Sequence, residues 1–332
     1  MQEIIYPEPL KRGDKVGLVA PAFPVSKERI ELCVKAVEKL GLCVEVGSRM
    51  EQDGWVMEHF KEGDHRKWAG VKGYLETFYL AGRPESRAED IHRMFSDPEI
   101  KGIFCARGGY GSAQVMPFLD KEIIARNPKI FLGFSDLTNI LNWINQTCGF
   151  VTYHGPMAST NMVDPPMDAY TRSSLEQAVF ADWKELEFKN PVGDELEVIV
   201  PGKAQGRLVG GNVTVFARTL GTFYQPDVRG KILFLEDVSE QVASLDMYFA
   251  QMENAGIFDQ VEGILFGDFN DCENKYEESY KVEELLRDRF SLKKIPVLAG
   301  LRCGHRAVTG TLPMGAWCLM DAEAGDVRFL RR

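Results

Sequence analysis

A serine stands at residue 135 in the stretch "KIFLGFSDLTNILNWI", where an apolar run of strand character gives way to a helical spacing. A hydroxyl on such a sharp strand-to-helix turn is presented at the edge of a sheet, where a nucleophile is useful. Serine is also a favoured helix N-cap, and a strand-to-helix junction needs one, so both readings stand on the fragment itself. The hydrolase elbow GxSxG is half present. Gly133 is in place but Leu137 stands where the second glycine belongs, which disfavours an ordinary α/β-hydrolase.

A second candidate is "FCARGGYGSAQ", in which an apolar strand ends at Arg107 and glycines follow at 108, 109 and 111. Glycine lets successive amides point one way and lets a ligand approach, so such a loop suits an anion or an oxyanion. A tight turn before a helix explains the same residues. Neither GxGxxG nor the P-loop pattern is matched, so a nucleotide site is weakly supported.

Glu236 closes the apolar run "ILFLE", either as a strand-end charge turned to water or as a buried orienting group. His305, in "LRCGHRAVTGTLPMGA", lies between glycine and strand signals. Histidines occur only at 59, 65, 92, 154 and 305, so candidates for a general base are few. His59, His65 and His92 fall in polar or helical stretches and read as surface residues, and His154 in "YHGP" either lines the same cleft or is structural. A serine, an acid and a histidine in the order Ser, Glu, His are compatible with acyl transfer, because such sites are defined by geometry and not by chain order.

The elements that would position these residues follow from periodicity. "KVGLVAP" and "LCVEV" read as strands around a helix from Ser26 to Leu40, with apolar residues at 30, 34, 37 and 40 and a stop at Gly41. "ESRAEDIHRMFSD" is an amphipathic helix, "IKGIFCAR" and "KIFLGF" are buried strands, and Asp136 to Thr147 is a helix. Alternating strands and helices imply an α/β unit with a parallel sheet, whose sites form at the C-terminal strand ends. Residues 161–205 hold "VDPPMD", one helix-like stretch and a mixed polar segment. From Gly206 onward come short strands ("KILFLEDV", "VEGILFGDF", "IPVLAGL", "AWCLMD") and helical segments near 240–255 and 280–290, a smaller strand-dominated unit. The expected division is therefore 1–165, a connection over 166–205, and 206–332.

Composition bounds the partners. With 39 basic and 49 acidic residues the formal charge is −10, and no basic run exists, so a nucleic-acid or anionic-membrane surface is not expected. The N-terminal stretch lacks a signal-peptide apolar region, and no run reaches the eighteen or so apolar residues of a spanning helix, so a cytoplasmic protein is expected. The seven cysteines (33, 43, 105, 148, 272, 303 and 318) are scattered without a CxxC pair, and read as free thiols in a reducing compartment.

The chain resembles the LD-carboxypeptidases, the serine peptidase group that also contains the microcin C immunity peptidases. The likeness runs in order through "VGLVAPAFP", "YLAGRPESRAEDIHRMFSDPEIKGIFCARGGYGS", "GFSDLT", "YHGPM", "GRLVGGNVTV", "GKILFLEDV", "GILFGDF" and "GHRAVTGTLPMGA". The resemblance implies that Ser135 is the nucleophile and that Glu236 and His305 complete a triad. It also implies a flavodoxin-like or Rossmann-like N-terminal domain, a C-terminal domain with a small barrel, a site at their interface and a homodimer, with no metal or cofactor. The amide of Asp136, with that of Gly109 or alternatively Gly108, would then hold the oxyanion. Arg107, Tyr110, Asn212 and Arg306 are the candidate substrate contacts, an arginine being wanted because the expected murein tetrapeptide ends in a free carboxylate. The immunity members instead cut an amide that joins a peptide or amino acid to a nucleotide analogue. A catalytically silent peptide-binding protein and a general esterase are the remaining alternatives.

Overall fold

The computed structural model describes residues 3–50, 80–163, 165–274 and 280–332, so His59 and His65 lie outside the described residues. The first sheet is built from β1 (Lys15–Val19), β2 (Cys43–Val46), β3 (Ile100–Cys105), β4 (Ile130–Gly133) and β5 (Thr152–His154). These five strands are mutually parallel in the order β2-β1-β3-β4-β5, the flavodoxin-like winding. β3 and β4 are apolar at nearly every position because helices cover both faces of a parallel sheet. The helix Lys27–Glu38 starts where Ser26 Oγ accepts the Arg29 N–H, and it buries Ile30, Cys33, Ala36 and Val37 along one stripe. Helix Pro84–Ser96 packs so closely on β1 that a Cβ on Gly17 would stand 2.5 Å from Met94 Sδ.

The second sheet mixes directions. β6 (Glu185–Phe188) and β7 (Glu197–Val200) are its two edges, and β8 (Lys203–Asn212), β9 (Ile232–Val238), β10 (Gly263–Asn270) and β11 (Val297–Ala299) form its parallel centre. β12 (Leu312–Met314) crosses back to pair antiparallel with β5 in the first sheet, after which β13 (Trp317–Asp321) and β14 (Asp326–Leu330) return to the second. Helices Val242–Asn254 and Val282–Phe290 bury Leu245, Phe249, Leu285 and Phe290 against this sheet.

Two details differ from the periodicity. The expected single helix from Asp136 to Thr147 is a 3-10 turn (Ser135–Leu137), an α-helix (Thr138–Trp143) and a π-turn (Ile144–Cys148), ended by Gly149 at φ 78°. The stretch 166–205 supplies helix Ala169–Val179 and both edge strands of the second sheet. Among the described residues no helix is long and apolar enough to cross a membrane.

Candidate active site

β3 and β4 run parallel and side by side, so the glycine loop after Cys105 and the turn after Gly133 emerge at the same sheet edge. Ser135 sits on that turn at φ 63°, a left-handed conformation that a non-glycine residue adopts only under local constraint. Its side chain caps neither following helical turn. Instead Ser135 Oγ lies 2.8 Å from His305 Nε2, and His305 Nδ1 lies 2.7 Å from Glu236 Oε2. Three residues far apart in sequence are thus one hydrogen-bonded line.

Each is held from behind. Glu236 is fully buried near the end of β9. His305 lies on the segment that carries the chain from β11 across to β12. Gly304 bends that segment at φ 148°, and a Cβ there would come within 3.0 Å of Glu236 Oε2. Thr309 Oγ1 closes the bend by accepting the Gly304 N–H and donating to the Gly304 carbonyl. Helix Ala169–Val179 anchors the far end, with Thr171 Oγ1 and Ser174 Oγ accepting the N–H groups of Thr309 and Thr311.

The electrostatics suit a base. Burial pulls the His305 pKa down, but the charge and hydrogen bond of Glu236, helped by Asp237 and Asp268, outweigh it and the net shift is upward. Asp237 and Asp268, both buried, are pushed up to about 6, chiefly by desolvation. Asp268 is paired with Arg302 at 2.8 Å and Arg306 at 3.1 Å. Asp237 accepts from the Asn212 side-chain amide, from Thr214 N–H and Oγ1, and from Val238 N–H.

The glycine loop faces the serine directly. A Cβ on Gly108 would lie 3.1 Å from Ser135 Cβ, 3.2 Å from its Oγ and 3.3 Å from the Asp136 nitrogen. Gly109 has φ 108°, and a Cβ there would press into the Phe23 ring at 2.7 Å. The loop is pinned to the serine turn: buried Asp136 accepts the Ser112 N–H at 2.7 Å, and Ser112 Oγ donates back to the Asp136 carbonyl. Burial raises the Asp136 pKa, against which Ser112 and the charges of Arg87 and Arg218 act.

The four expected substrate contacts divide. Arg107 is half-buried over the Phe23 ring at 5.4 Å, and no carboxylate among the described residues pairs with it. Burial and the nearby Arg29 charge lower its pKa. Tyr110 is exposed, edge-on to Phe23, with its hydroxyl accepting from Gln114. Arg306 is half exposed and engaged with Asp268. Asn212 is buried, Oδ1 accepts the Val215 N–H and Nδ2 donates to Asp237, which makes it the cap of the helix Val213–Ala217, with one Nδ2 hydrogen taking no part in these bonds.

Several supporting residues escaped the sequence reading. Asn142 zips the serine's helix onto β8, donating to the Gly210 carbonyl at 2.8 Å and accepting its N–H at 3.1 Å. Thr138 Oγ1 accepts the Asn212 N–H at 3.0 Å, and a Cβ on Gly211 would collide with that oxygen at 2.5 Å. The Gly-Gly pair in "GRLVGGNVTV" was the available signal. Buried Arg87 ties the carbonyls of Pro21, Gly82 and Gly111 together beneath the loop, and only its place in an amphipathic helix was visible.

The LD-carboxypeptidase N-terminal domain model matches residues 16–155, and the LD-carboxypeptidase C-terminal domain model matches residues 205–320. The chain is 35% identical over 317 residues to the probable murein peptide carboxypeptidase of Bacillus subtilis, covering 95% of this chain and 91% of that one. It is 29% identical over 317 residues to the murein tetrapeptide carboxypeptidase of Pseudomonas aeruginosa, covering 93% and 94%. Among solved structures, the wild-type apo microcin C7 self-immunity protein MccF superposes with a TM-score of 0.85 over 99% of both chains. At 24% identity that likeness speaks for the fold.

Proposed function

The chain belongs to the LD-carboxypeptidase family, and from that premise we propose that it is a serine peptidase that releases the terminal D-alanine of a murein tetrapeptide. The observation that carries the reading is the line Ser135 Oγ, His305, Glu236 at 2.8 and 2.7 Å, with the serine held at a positive φ. A serine acting as a helix cap would spend its hydroxyl on a backbone amide.

In this mechanism His305 Nε2 takes the Ser135 proton as Oγ attacks the carbonyl of the L-residue before the D-alanine. Glu236 accepts from Nδ1–H, which fixes the tautomer that leaves Nε2 free to act as base and stabilises the imidazolium once formed. The tetrahedral oxygen develops charge beside the Asp136 amide and the glycine loop, where dipoles fixed by the Ser112–Asp136 link need no reorganisation. His305 then protonates the leaving D-alanine amine, and a water attacks the acyl-enzyme by the same route in reverse. Arg107 is suited to the substrate's terminal carboxylate, since among the described residues no acid neutralises it. A cytoplasmic homodimer belongs to the same proposal, to be checked by light scattering of the purified protein.

The test is D-alanine release from a murein tetrapeptide by wild type and Ser135→Ala, with an aminoacyl-sulfamoyl nucleotide as competing substrate. Release by wild type and its loss in the variant is the expected result. Cleavage of the nucleotide conjugate alone would make the chain an immunity-type peptidase, turnover of simple aryl esters alone would make it an esterase, and tight peptide binding without product would make it a binding protein.

A further inference from the structure

His154 closes β5 directly opposite Gly133 of β4, two residues before the serine. It is buried, and among the described residues neither Nδ1 nor Nε2 has a partner. Its ring is wedged between two phenylalanines, 5.5 Å from Phe134 and 5.2 Å from Phe234 by centroids. Phe134 also touches His305, at 4.7 Å, so the two imidazoles flank one aromatic ring. Phe234 and Glu236 stand two residues apart on β9 and therefore share one face of that strand. The face on which His154 packs is thus the face that carries the carboxylate.

Glu236 completes the pattern. Oε2 accepts from His305, while the equally buried Oε1 has no partner among the described residues. A buried carboxylate oxygen and a buried imidazole, each without a partner among the described residues and both on one face of β9, are an acceptor and a donor that one water between them would satisfy. Burial pulls the His154 pKa down to about 4 against the opposing charge of Glu236, so the ring is neutral and carries one N–H to give. Of the other groups near Glu236, Asp237 is taken up by Asn212 and Thr214 and the Cys303 thiol is kept protonated by burial, while Asp268 pairs through Oδ1 with Arg302 and Arg306 and leaves its buried Oδ2 without a partner among the described residues.

We propose that His154 is a positioning residue for the proposed triad, its ring N–H linked to Glu236 Oε1 across one bound water, so that the carboxylate stays aimed at His305. The inference rests on the triad reading given above. It assigns His154 no contact with substrate. Its effect passes through Glu236 to the imidazole.

The experiment compares wild type, His154→Phe, His154→Gln and Ser135→Ala in D-alanine release across pH, with thermal unfolding of each. His154→Phe keeps an aromatic ring between Phe134 and Phe234 and removes the donor; His154→Gln keeps a donor. The expected result is a kcat lower by about tenfold to a hundredfold in His154→Phe, as for partners one layer behind a reacting group, with KM unchanged. The acid limb of its kcat/KM profile should move to lower pH, because a less firmly aimed Glu236 carboxylate supports the His305 cation less. His154→Gln should recover part of the rate and of the limb.

A His154→Phe enzyme within twofold of wild type and with an unmoved acid limb would overturn the proposal, and so would a loss of rate that tracks a lowered Tm with an unmoved limb. If His154→Phe does not fold, the limb of His154→Gln and the downfield proton resonance of the His305–Glu236 hydrogen bond decide instead, and wild-type values in both refute it. An active Ser135→Ala would instead sink the triad reading itself, so the two failures are distinguishable.

Discussion

Gly108→Ala isolates the oxyanion site from the stability of the fold. The added methyl would occupy the point 3.2 Å from Ser135 Oγ and 3.3 Å from the Asp136 nitrogen, between the attacking oxygen and the donor that should receive the tetrahedral oxyanion. Contacts of 3.1–3.3 Å are tight, yet a shift of a few tenths of an ångström relieves them, and Gly108 is not among the residues with positive φ. The folded state should therefore lose no more than about 1 kcal/mol, the scale of a tolerated small-to-large change. Transition-state stabilisation should suffer far more, because displacing one oxyanion donor costs roughly 10²–10³ in kcat, or about 2.7–4 kcal/mol. Gly109→Ala is the control with the opposite signature: its backbone at φ 108° and the Phe23 ring at 2.7 Å make the change strained, so its loss should show first in thermal unfolding. The assay is D-alanine release under saturating murein tetrapeptide, read beside the Tm of each variant. A Gly108→Ala enzyme with wild-type Tm and kcat within threefold of wild type would refute the placement of the oxyanion between Gly108 and Asp136.

Three further outcomes follow from the same geometry. Glu236→Gln should keep the fold and lower kcat by about 10⁴, the size of a tautomer error in a serine triad, and a loss under tenfold would argue against the orienting role. Activity should fall as pH drops through the His305 pKa, with the acid limb of kcat/KM above the ordinary imidazole value because the shift is upward; a limb well below it would mean that burial outweighs Glu236. Stability runs the opposite way, since a raised folded pKa contributes fully below the unfolded value and is lost as pH rises through the folded one. Gly211→Ala, with a Cβ 2.5 Å from Thr138 Oγ1 at φ 133°, should lower stability by about 1–3 kcal/mol and kcat by roughly a hundredfold through misplacement of the serine's helix; retention of both in kinetics and unfolding would show that the helix does not need this docking.

The parts of this architecture that were legible were those whose local physics matches their final environment. β3 and β4 read as buried strands because both faces of a parallel sheet are covered, and helix Lys27–Glu38 announced itself by Ser26 and its apolar stripe. β6, β7 and β12 were not legible, being three or four residues long and defined by partners far along the chain. Ser135 was ambiguous for the same reason. A cap and a nucleophile ask for the same residue at the same junction, and only the positive φ and the His305 contact separate them. Asn212 reads as a ligand contact because it stands beside glycines, and its role as a helix cap tied to Val215 and Asp237 depends on partners that the sequence does not display.

What residue types could not convey is why the serine, glutamate and histidine meet at all. The serine's helix is bolted to β8 by Asn142 and Thr138, and β8 lies beside β9 with Asn212 opposite Glu236, so the span from serine to carboxylate is fixed by strand register. The histidine comes from the other direction, on a segment that leaves the second sheet at β11 and must reach β5 in the first. Helix Ala169–Val179 grips that crossing at Thr309 and Thr311, which limits how far His305 can move while both sheets stay intact. The two sheets are thus stitched together by the elements that carry the reacting groups. Loosening the crossing, for example at Thr309, would be felt first in the distance between His305 and Ser135 and only afterwards in either hydrophobic core.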